Sequence, residues 1–147
     1  MVNSCKILEI FIGGNYYDSD VQKEWDRFER HPFEFMITKR MMDRYIKPGD
    51  KILDIGGGPG RYSIYYAKKG CDVTLVDLSA ENIKFALEKA KEANVGITAV
   101  SGDAREVGKF IKGKFDHIFV MGPMYHLLDE KDRIKALNEA VSLLKDR

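Results

Sequence analysis

The segment at residues 52–61 constrains the fold of this 147-residue chain more than any other feature. An apolar run that contains Asp54 ends in the glycine-rich sequence GGGPG at positions 56–60. Glycines at alternate positions allow backbone with positive φ and let a ligand come close to the main chain. A helix that begins at Arg61 would present unpaired N–H groups to that ligand. The segment therefore predicts a β-strand, a ligand-binding turn and the start of an α-helix.

The spacing of these glycines distinguishes two kinds of nucleotide site. Dinucleotide-binding folds use G-x-G-x-x-G, whose third glycine would fall at position 61, where this chain has Arg61. The pattern that fits is D-x-G-x-G-x-G, from Asp54 to Gly60. This leaves a nicotinamide-dependent oxidoreductase as the less favoured alternative.

The Asp54–Gly60 pattern resembles the cofactor-binding element of the class I S-adenosylmethionine (SAM)-dependent methyltransferases. Three later segments agree with that family in their order along the chain. An apolar strand at 73–77 ends in Asp77, the sequence Ser101-Gly102-Asp103-Ala104 follows a strand at 97–100, and a strand at 115–120 runs into Met121. The resemblance covers residues 47–147.

The resemblance also implies roles for the three acids. Asp54 would attract the methionine ammonium group of SAM, Asp77 would accept hydrogen bonds from the ribose hydroxyls, and Asp103 would bind the adenine amino group. A structural role stays open for each of them. Asp54 could be a strand-end or capping acid, Asp77 a helix-start acid and Asp103 a turn acid. Ser79 is predicted to be a helix N-cap. The full set of implied cofactor-binding residues is Asp54, Gly56, Gly57, Gly58, Gly60, Asp77, Leu78, Asp103, Ala104, Met121 and Gly122.

The implied reaction is methyl transfer from SAM, which leaves S-adenosylhomocysteine. The sulfonium methyl group is already activated, so the protein mainly aligns it with the acceptor. A general base is needed only if the acceptor must lose a proton, and Tyr125 and His126 are the candidates, with a structural role for His126 equally open. Gly122-Pro123-Met124-Tyr125 is similar to the Asn- or Asp-Pro-Pro-Tyr loop of nucleic-acid base methyltransferases but lacks its polar first residue. A small-molecule acceptor is therefore expected.

The alternation of strands and helices predicts an α/β fold with a parallel sheet covered on both faces. The resemblance to the class I methyltransferases implies the finer fold class, a Rossmann-like sheet with strand order 3-2-1-4. Helices are predicted at about 60–69, 80–92, 104–111 and 130–145, and the last has an apolar face. Family members continue to seven strands, so the chain is interpreted as the N-terminal portion of a larger methyltransferase, truncated after the fourth strand. A SAM-binding module without catalysis is the alternative.

Residues 1–46 are predicted to form an N-terminal helical extension before the cofactor-binding core at 47–147. Helices are expected at 21–30 and from Pro32, the second with an apolar stripe at every fourth residue. Family members often use such an extension as a lid, and Tyr16, Tyr17 and Trp25 are the candidate substrate or lid residues. Packing of these aromatic rings over the sheet edge is the alternative.

An unpaired fourth strand, 115–121, would leave an apolar edge that recruits another strand. A homodimer through this edge or through the terminal helix is therefore expected, with coverage by residues 5–12 as the alternative.

The composition of the chain limits the binding partners and the cellular location that we expect. The chain has 24 basic and 23 acidic residues without clusters, which predicts neither a nucleic-acid groove nor a membrane-binding face. Cys5 and Cys71 are isolated and lack metal-ligand spacing, so reduced thiols, no metal and a cytoplasmic location are expected. The apolar segment 7–12 contains Glu9 and lacks the features of a secretory signal.

Overall fold

A computed structural model describes residues 20–146 of the chain. Four β-strands and seven α-helices lie in this part of the molecule. The strands are β1 (Lys51–Ile55), β2 (Asp72–Asp77), β3 (Thr98–Ser101) and β4 (His117–Phe119). The helices are α1 (Val21–Arg30), α2 (Pro32–Met42), α3 (Arg61–Lys68), α4 (Ala80–Glu92), α5 (Val107–Phe110), α6 (Gly122–His126) and α7 (Glu130–Ser142), with a 3₁₀ turn at Ala104–Glu106.

The four strands form one parallel sheet in the order β3-β2-β1-β4. Asp54 of the central strand β1 is in register with Leu75 of β2 and with Phe119 of β4. The α/β class predicted from the alternation of elements and the strand order implied by the family resemblance are therefore both confirmed. Since all strands run in one direction, their carboxyl ends meet at a single edge of the sheet.

Helices cover both faces of the sheet, so alternate residues of each central strand enter different cores. One core contains Ile52, Val73 and Phe119 with residues of α3, and it also takes up Phe28 from α1. The opposite core contains Leu53 and Ile55 with residues of α5 and α7. Part of the predicted N-terminal extension is therefore continuous with the core of the sheet.

The helices of the second half differ from prediction in two places. The helix expected at 104–111 is divided into the 3₁₀ turn and the short α5. In one continuous helix the Gly108 N–H would donate to the carbonyl of Ala104. It donates instead to Glu139 Oε2 of α7 at 2.7 Å. Residues 122–126 form α6, where a loop was expected. A proline in the first turn of α6 needs no N–H partner, which suits this helix start.

The fourth strand is shorter than the predicted 115–121. Its ladder with β1 covers only His117 to Phe119. Phe115 instead forms a parallel bridge with Leu144, in which Phe115 N–H donates to Leu143 and its carbonyl accepts from Lys145. Residues after α7 therefore pair with the segment just before β4, and no strand among residues 20–146 pairs with the outer edge of β4 itself.

The apolar stripe of the second N-terminal helix is not buried. All four of its predicted members are exposed, and α2 contains no buried residue. These residues are Phe33, Ile37, Met41 and Tyr45. The helix is held instead by Phe35, whose ring packs against Phe28 and Tyr62 with centroid distances of 5.0 and 4.9 Å.

No helix within residues 20–146 is both long and apolar enough to cross a membrane.

Candidate functional site

The candidate site lies where the carboxyl ends of the strands converge. Backbone hydrogen bonds join these ends, from Gly56 N–H to the carbonyl of Val76 and from Gly102 N–H to the carbonyl of Asp77. The glycine-rich turn after β1 and the segment after β3 are therefore both anchored to β2. Parallel α/β sheets bind ligands at this kind of edge.

Only one glycine of the turn combines positive φ with open space. Gly58 has φ +56°, and no atom lies within 4 Å of the position that a Cβ would occupy. The other three implied glycines, Gly56, Gly57 and Gly60, each pack so tightly that a Cβ would meet neighbouring protein atoms at 3.0 Å or less. Among the turn glycines, Gly58 is therefore the one that can line a ligand space.

Asp77 links this turn to the end of β2. Its Oδ2 accepts a hydrogen bond of 2.8 Å from the Gly58 N–H. Its Oδ1 accepts from the Ser79 N–H and from Asn82 Nδ2, both at 3.0 Å. The carboxylate thus makes the helix-start contacts of a structural acid and also holds the one turn residue that faces open space.

The start of α4 forms as the sequence predicts. Ser79 is the N-cap, and its Oγ accepts from the Asn82 N–H at 3.2 Å. This confirms Ser79 as a capping residue. The sequence analysis did not identify Asn82. It is the third helical residue after the serine cap, and a side chain at that position can hydrogen-bond to groups that precede the helix.

Asp54 is buried beneath the turn with only 1% of its surface exposed. Its Oδ2 accepts a hydrogen bond of 2.8 Å from Ser63 Oγ of α3, and a Cβ at Gly57 would lie 2.5 Å from the same oxygen. Burial raises the pKa of Asp54 to about 7, the Ser63 hydroxyl opposes this change, and the Asp77 carboxylate adds to it. With this pKa, the neutral acid and the carboxylate of Asp54 are both populated near neutral pH.

Asp103 is held by Arg105. The Asp103 carboxylate accepts from the Arg105 backbone N–H and from Nε and Nη2 of the same residue, and Arg105 Nη1 continues to Asp132 of α7. Although burial opposes it, the hydrogen bonds from Arg105 leave the pKa of Asp103 lowered overall. These contacts are those of a turn acid, the alternative that the sequence left open, and they tie this corner of the site to α7.

The segment after β4 packs against the glycine turn. A Cβ at Gly122 would lie 2.5 Å from the carbonyl oxygen of Gly56, and the Pro123 ring fills the space beside the Gly56 Cα. The other implied cofactor residues differ in exposure: Leu78 is exposed, whereas Ala104 and Met121 pack partly against the two cores. An exposed leucine directly after Asp77 is available to an apolar part of a ligand.

The candidate catalytic and lid residues are less enclosed. Tyr125 is 83% exposed, and His126 is also exposed. Trp25 lies against Phe85 with a centroid distance of 5.6 Å and under the Arg61 guanidinium at 3.9 Å. Tyr16 and Tyr17 lie outside the described residues.

A cleft of about 450 Å³ lies among helices α1 to α4, and Trp25, Arg61 and Lys89 are among its lining residues. None of the three candidate acids lines it. Within residues 20–146, no group of three or more His, Cys, Asp or Glu side chains is arranged to hold a metal ion.

Comparison with known proteins finds relatives that are named methyltransferases. The chain is 36% identical over 96 residues to a glycine/sarcosine N-methyltransferase from Aphanothece halophytica, across 65% of this chain and 36% of that protein. It is 31% identical to the protein of the same name from Halorhodospira halochloris, across 88% of this chain and 49% of that protein. Ribosomal RNA methyltransferases also match.

A solved structure agrees with the sequence relatives. A TehB-like SAM-dependent methyltransferase from Corynebacterium glutamicum superimposes with a TM-score of 0.72 at 28% identity, covering 88% of this chain and 68% of that one. The chain spans half or less of the length of the two glycine/sarcosine relatives. The methyltransferase domain family matches residues 52–147. This range includes all four strands of the sheet, apart from Lys51 at the start of β1. As the motifs from Asp54 to Gly122 predict, the chain belongs to this methyltransferase domain family.

Proposed function

We propose that the chain binds SAM at the carboxyl edge of its sheet and serves a methyl transfer to a small-molecule acceptor. The observation that carries the proposal is the hydrogen bond from Gly58 N–H to Asp77 Oδ2. It places an acid beside the only turn glycine that combines positive φ with open space. An acid at the end of the second strand is the usual acceptor for ribose hydroxyls in nucleotide-binding α/β folds.

The chemistry asked of these residues is binding and orientation. SAM, when bound, supplies an activated methyl group on a sulfonium cation. Asp77 and the Gly58 backbone would hold the nucleoside part, and Asp54 would offer a negative charge to the methionine ammonium group. Alignment of the methyl group with an acceptor can account for much of the rate gain. Tyr125 and His126 are the residues proposed to take a proton from acceptors that must lose one.

A small acceptor is favoured by the charge pattern and by the relatives. The chain carries nearly equal numbers of acidic and basic residues, and Gly122 stands where base methyltransferases have a polar residue. Glycine and sarcosine are the first acceptors to test, because the relatives at 36 and 31% identity bear their names. RNA belongs in the same assay, since ribosomal RNA methyltransferases also match the chain.

Calorimetric titration with SAM, S-adenosylhomocysteine and NAD tests the cofactor. We expect the first two to bind and NAD not to bind. Asp77→Ala should weaken S-adenosylhomocysteine binding about tenfold or more, since a hydrogen bond to a charged group contributes roughly 1.5–3 kcal/mol. Asp72→Ala, which removes an exposed carboxylate at the start of the same strand, is the matched control. Binding of NAD alone, or equal affinities in both variants, would contradict the proposal.

Methyl transfer is measured separately from binding. Transfer from labelled SAM to glycine, sarcosine or total RNA identifies the acceptor class. Cofactor binding without transfer to any of them would support the alternative of a binding module. A cytoplasmic location stays a prediction that rests on the isolated cysteines, of which Cys71 is a buried free thiol.

We also infer that the chain self-associates through α7 and the outer edge of β4. Ile134, Leu137 and Val141 of α7 expose apolar side chains at helical spacing. Among residues 20–146, no strand pairs with the outer edge of β4, and the Phe115–Leu144 bridge lies just before this strand. Two-fold pairing would bury both features at once.

A further inference from the structure

Asn82 is a buried polar residue next to the candidate site. It lies in the first turn of α4 with 1% of its surface exposed. Its Nδ2 donates to Asp77 Oδ1 at 3.0 Å. Its own Oδ1 is buried and has no hydrogen-bond partner within the described part of the chain.

The amide oxygen of Asn82, which is unpaired within residues 20–146, lowers the stability of the folded state. A buried acceptor without a partner loses its bonds to water and gains none in return. Asparagine is also a weaker helix former than alanine. The amide makes one hydrogen bond among the described residues, and that bond goes to Asp77. The contribution that can offset this cost is therefore the hydrogen bond to the Asp77 carboxylate.

The Asp77 contacts show what this bond does. Each carboxylate oxygen has two lone-pair sites. On Oδ1 both are used, by the Ser79 N–H and by Asn82 Nδ2. On Oδ2 the Gly58 N–H uses one, which leaves one acceptor site on the atom that faces the turn. The donors on Oδ1 set the rotation of the carboxylate and so the direction of that remaining site.

We propose that Asn82 is a positioning residue that orients Asp77 so that the free acceptor site on Oδ2 receives a ribose hydroxyl. The inference deepens the proposed function and rests on it, since it requires a nucleoside ligand at this edge of the sheet. Asn82 itself does not touch the ligand in this proposal. Its effect reaches the ligand only through the carboxylate.

A ligand pair and a control variant separate positioning from folding. Affinity is measured for S-adenosylhomocysteine and for its 2′,3′-dideoxyribose analogue, in wild type, Asn82→Ala and Ile83→Ala. Ile83 is the next residue of α4 and packs against Leu75 and Ala86, so its truncation disturbs the same helix without touching Asp77. A thermal melt of each variant measures folding.

We expect Asn82→Ala to weaken S-adenosylhomocysteine binding about tenfold while leaving the affinity for the dideoxy analogue at the wild-type value. Ile83→Ala should lower the melting temperature without changing the ratio of the two affinities. Equal weakening of both ligands by Asn82→Ala, or no weakening, would overturn the positioning role even if wild type binds well. If wild type binds neither ligand, the proposed cofactor itself is wrong and the inference falls with it.

Discussion

The backbone of Gly122 lies directly against the carbonyl oxygen of Gly56, and a Cβ at position 122 would stand 2.5 Å from that oxygen. Two segments 66 positions apart in sequence therefore meet without side chains between them. Gly122 replaces the polar residue of the base-methyltransferase loop in the sequence comparison. The structure supplies a physical reason for glycine here, which is the close approach of the two turns.

Gly122→Ala should destabilise the fold. The added methyl group meets backbone atoms, which yield less readily than a flexible side chain, and overpacking of this kind costs about 1–3 kcal/mol. Gly96→Ala is the control, because position 96 has open space around a Cβ and no positive φ. Chemical denaturation of both variants measures the difference. Equal stabilities would show that the two turns can separate freely.

Gly58→Val should abolish S-adenosylhomocysteine binding while the chain still folds. A β-branched residue is strained at φ +56°, and its side chain would occupy the open space beside the turn. Gly49→Val is a matched control, since Gly49 has φ +91° and similar open space but lies outside the candidate site. Titration calorimetry should show binding by the second variant alone. Normal binding by Gly58→Val would remove the turn from the ligand site.

Asp54→Asn should change how stability depends on pH. The folded-state pKa of Asp54 is raised from 3.8 to about 7, so the folded state binds this proton more tightly than the unfolded state does. The stabilising contribution is complete below pH 4 and is lost as the pH rises to 7, by at most roughly 4 kcal/mol at 1.36 kcal/mol per pKa unit. Asparagine has no such dependence. The variant should therefore gain in melting temperature relative to wild type between pH 5 and pH 8, and parallel pH profiles would contradict the raised pKa.

Binding of SAM should release a proton from wild type below pH 7. An ammonium group near Asp54 favours the carboxylate, so ligand binding lowers a pKa that burial holds at about 7. Calorimetry at pH 6.5 in buffers of different ionisation enthalpy measures the number of protons released. Asp54→Asn should release fewer protons than wild type. Equal proton release in both proteins would assign Asp54 to the structural alternative, as an acid that holds Ser63.

Leu137→Lys should disrupt self-association. Leu137 lies between Ile134 and Val141 on the exposed face of α7, where a lysine would place a charge in the proposed interface. Leu87→Lys alters an exposed leucine of α4 and is the control. Light scattering at micromolar concentration should give a dimer for wild type and for the control, and a monomer for Leu137→Lys. A monomeric wild type with slowly exchanging β4 amides would instead favour coverage of the edge by another segment of the chain.

Some features follow from the sequence because they depend on short segments. The Asp54–Gly60 pattern predicts the turn, and the serine before an apolar helix predicts the cap at Ser79. The family and its strand order are implied by the resemblance of four motifs taken together, and the comparisons and the sheet confirm both. The turn and the cap each depend on backbone preference or periodicity within about ten residues. These local patterns can be recognised without knowledge of the rest of the fold.

The properties of the site depend on neighbours that are distant in sequence. The raised pKa of Asp54 arises from burial, with smaller contributions from Ser63 and Asp77. Asn82 becomes informative only once its amide is seen to hold Asp77. Periodicity likewise identifies the apolar stripes of α2 and α7 but does not reveal that both are exposed, because an apolar face is buried only where the tertiary structure provides a surface to cover it.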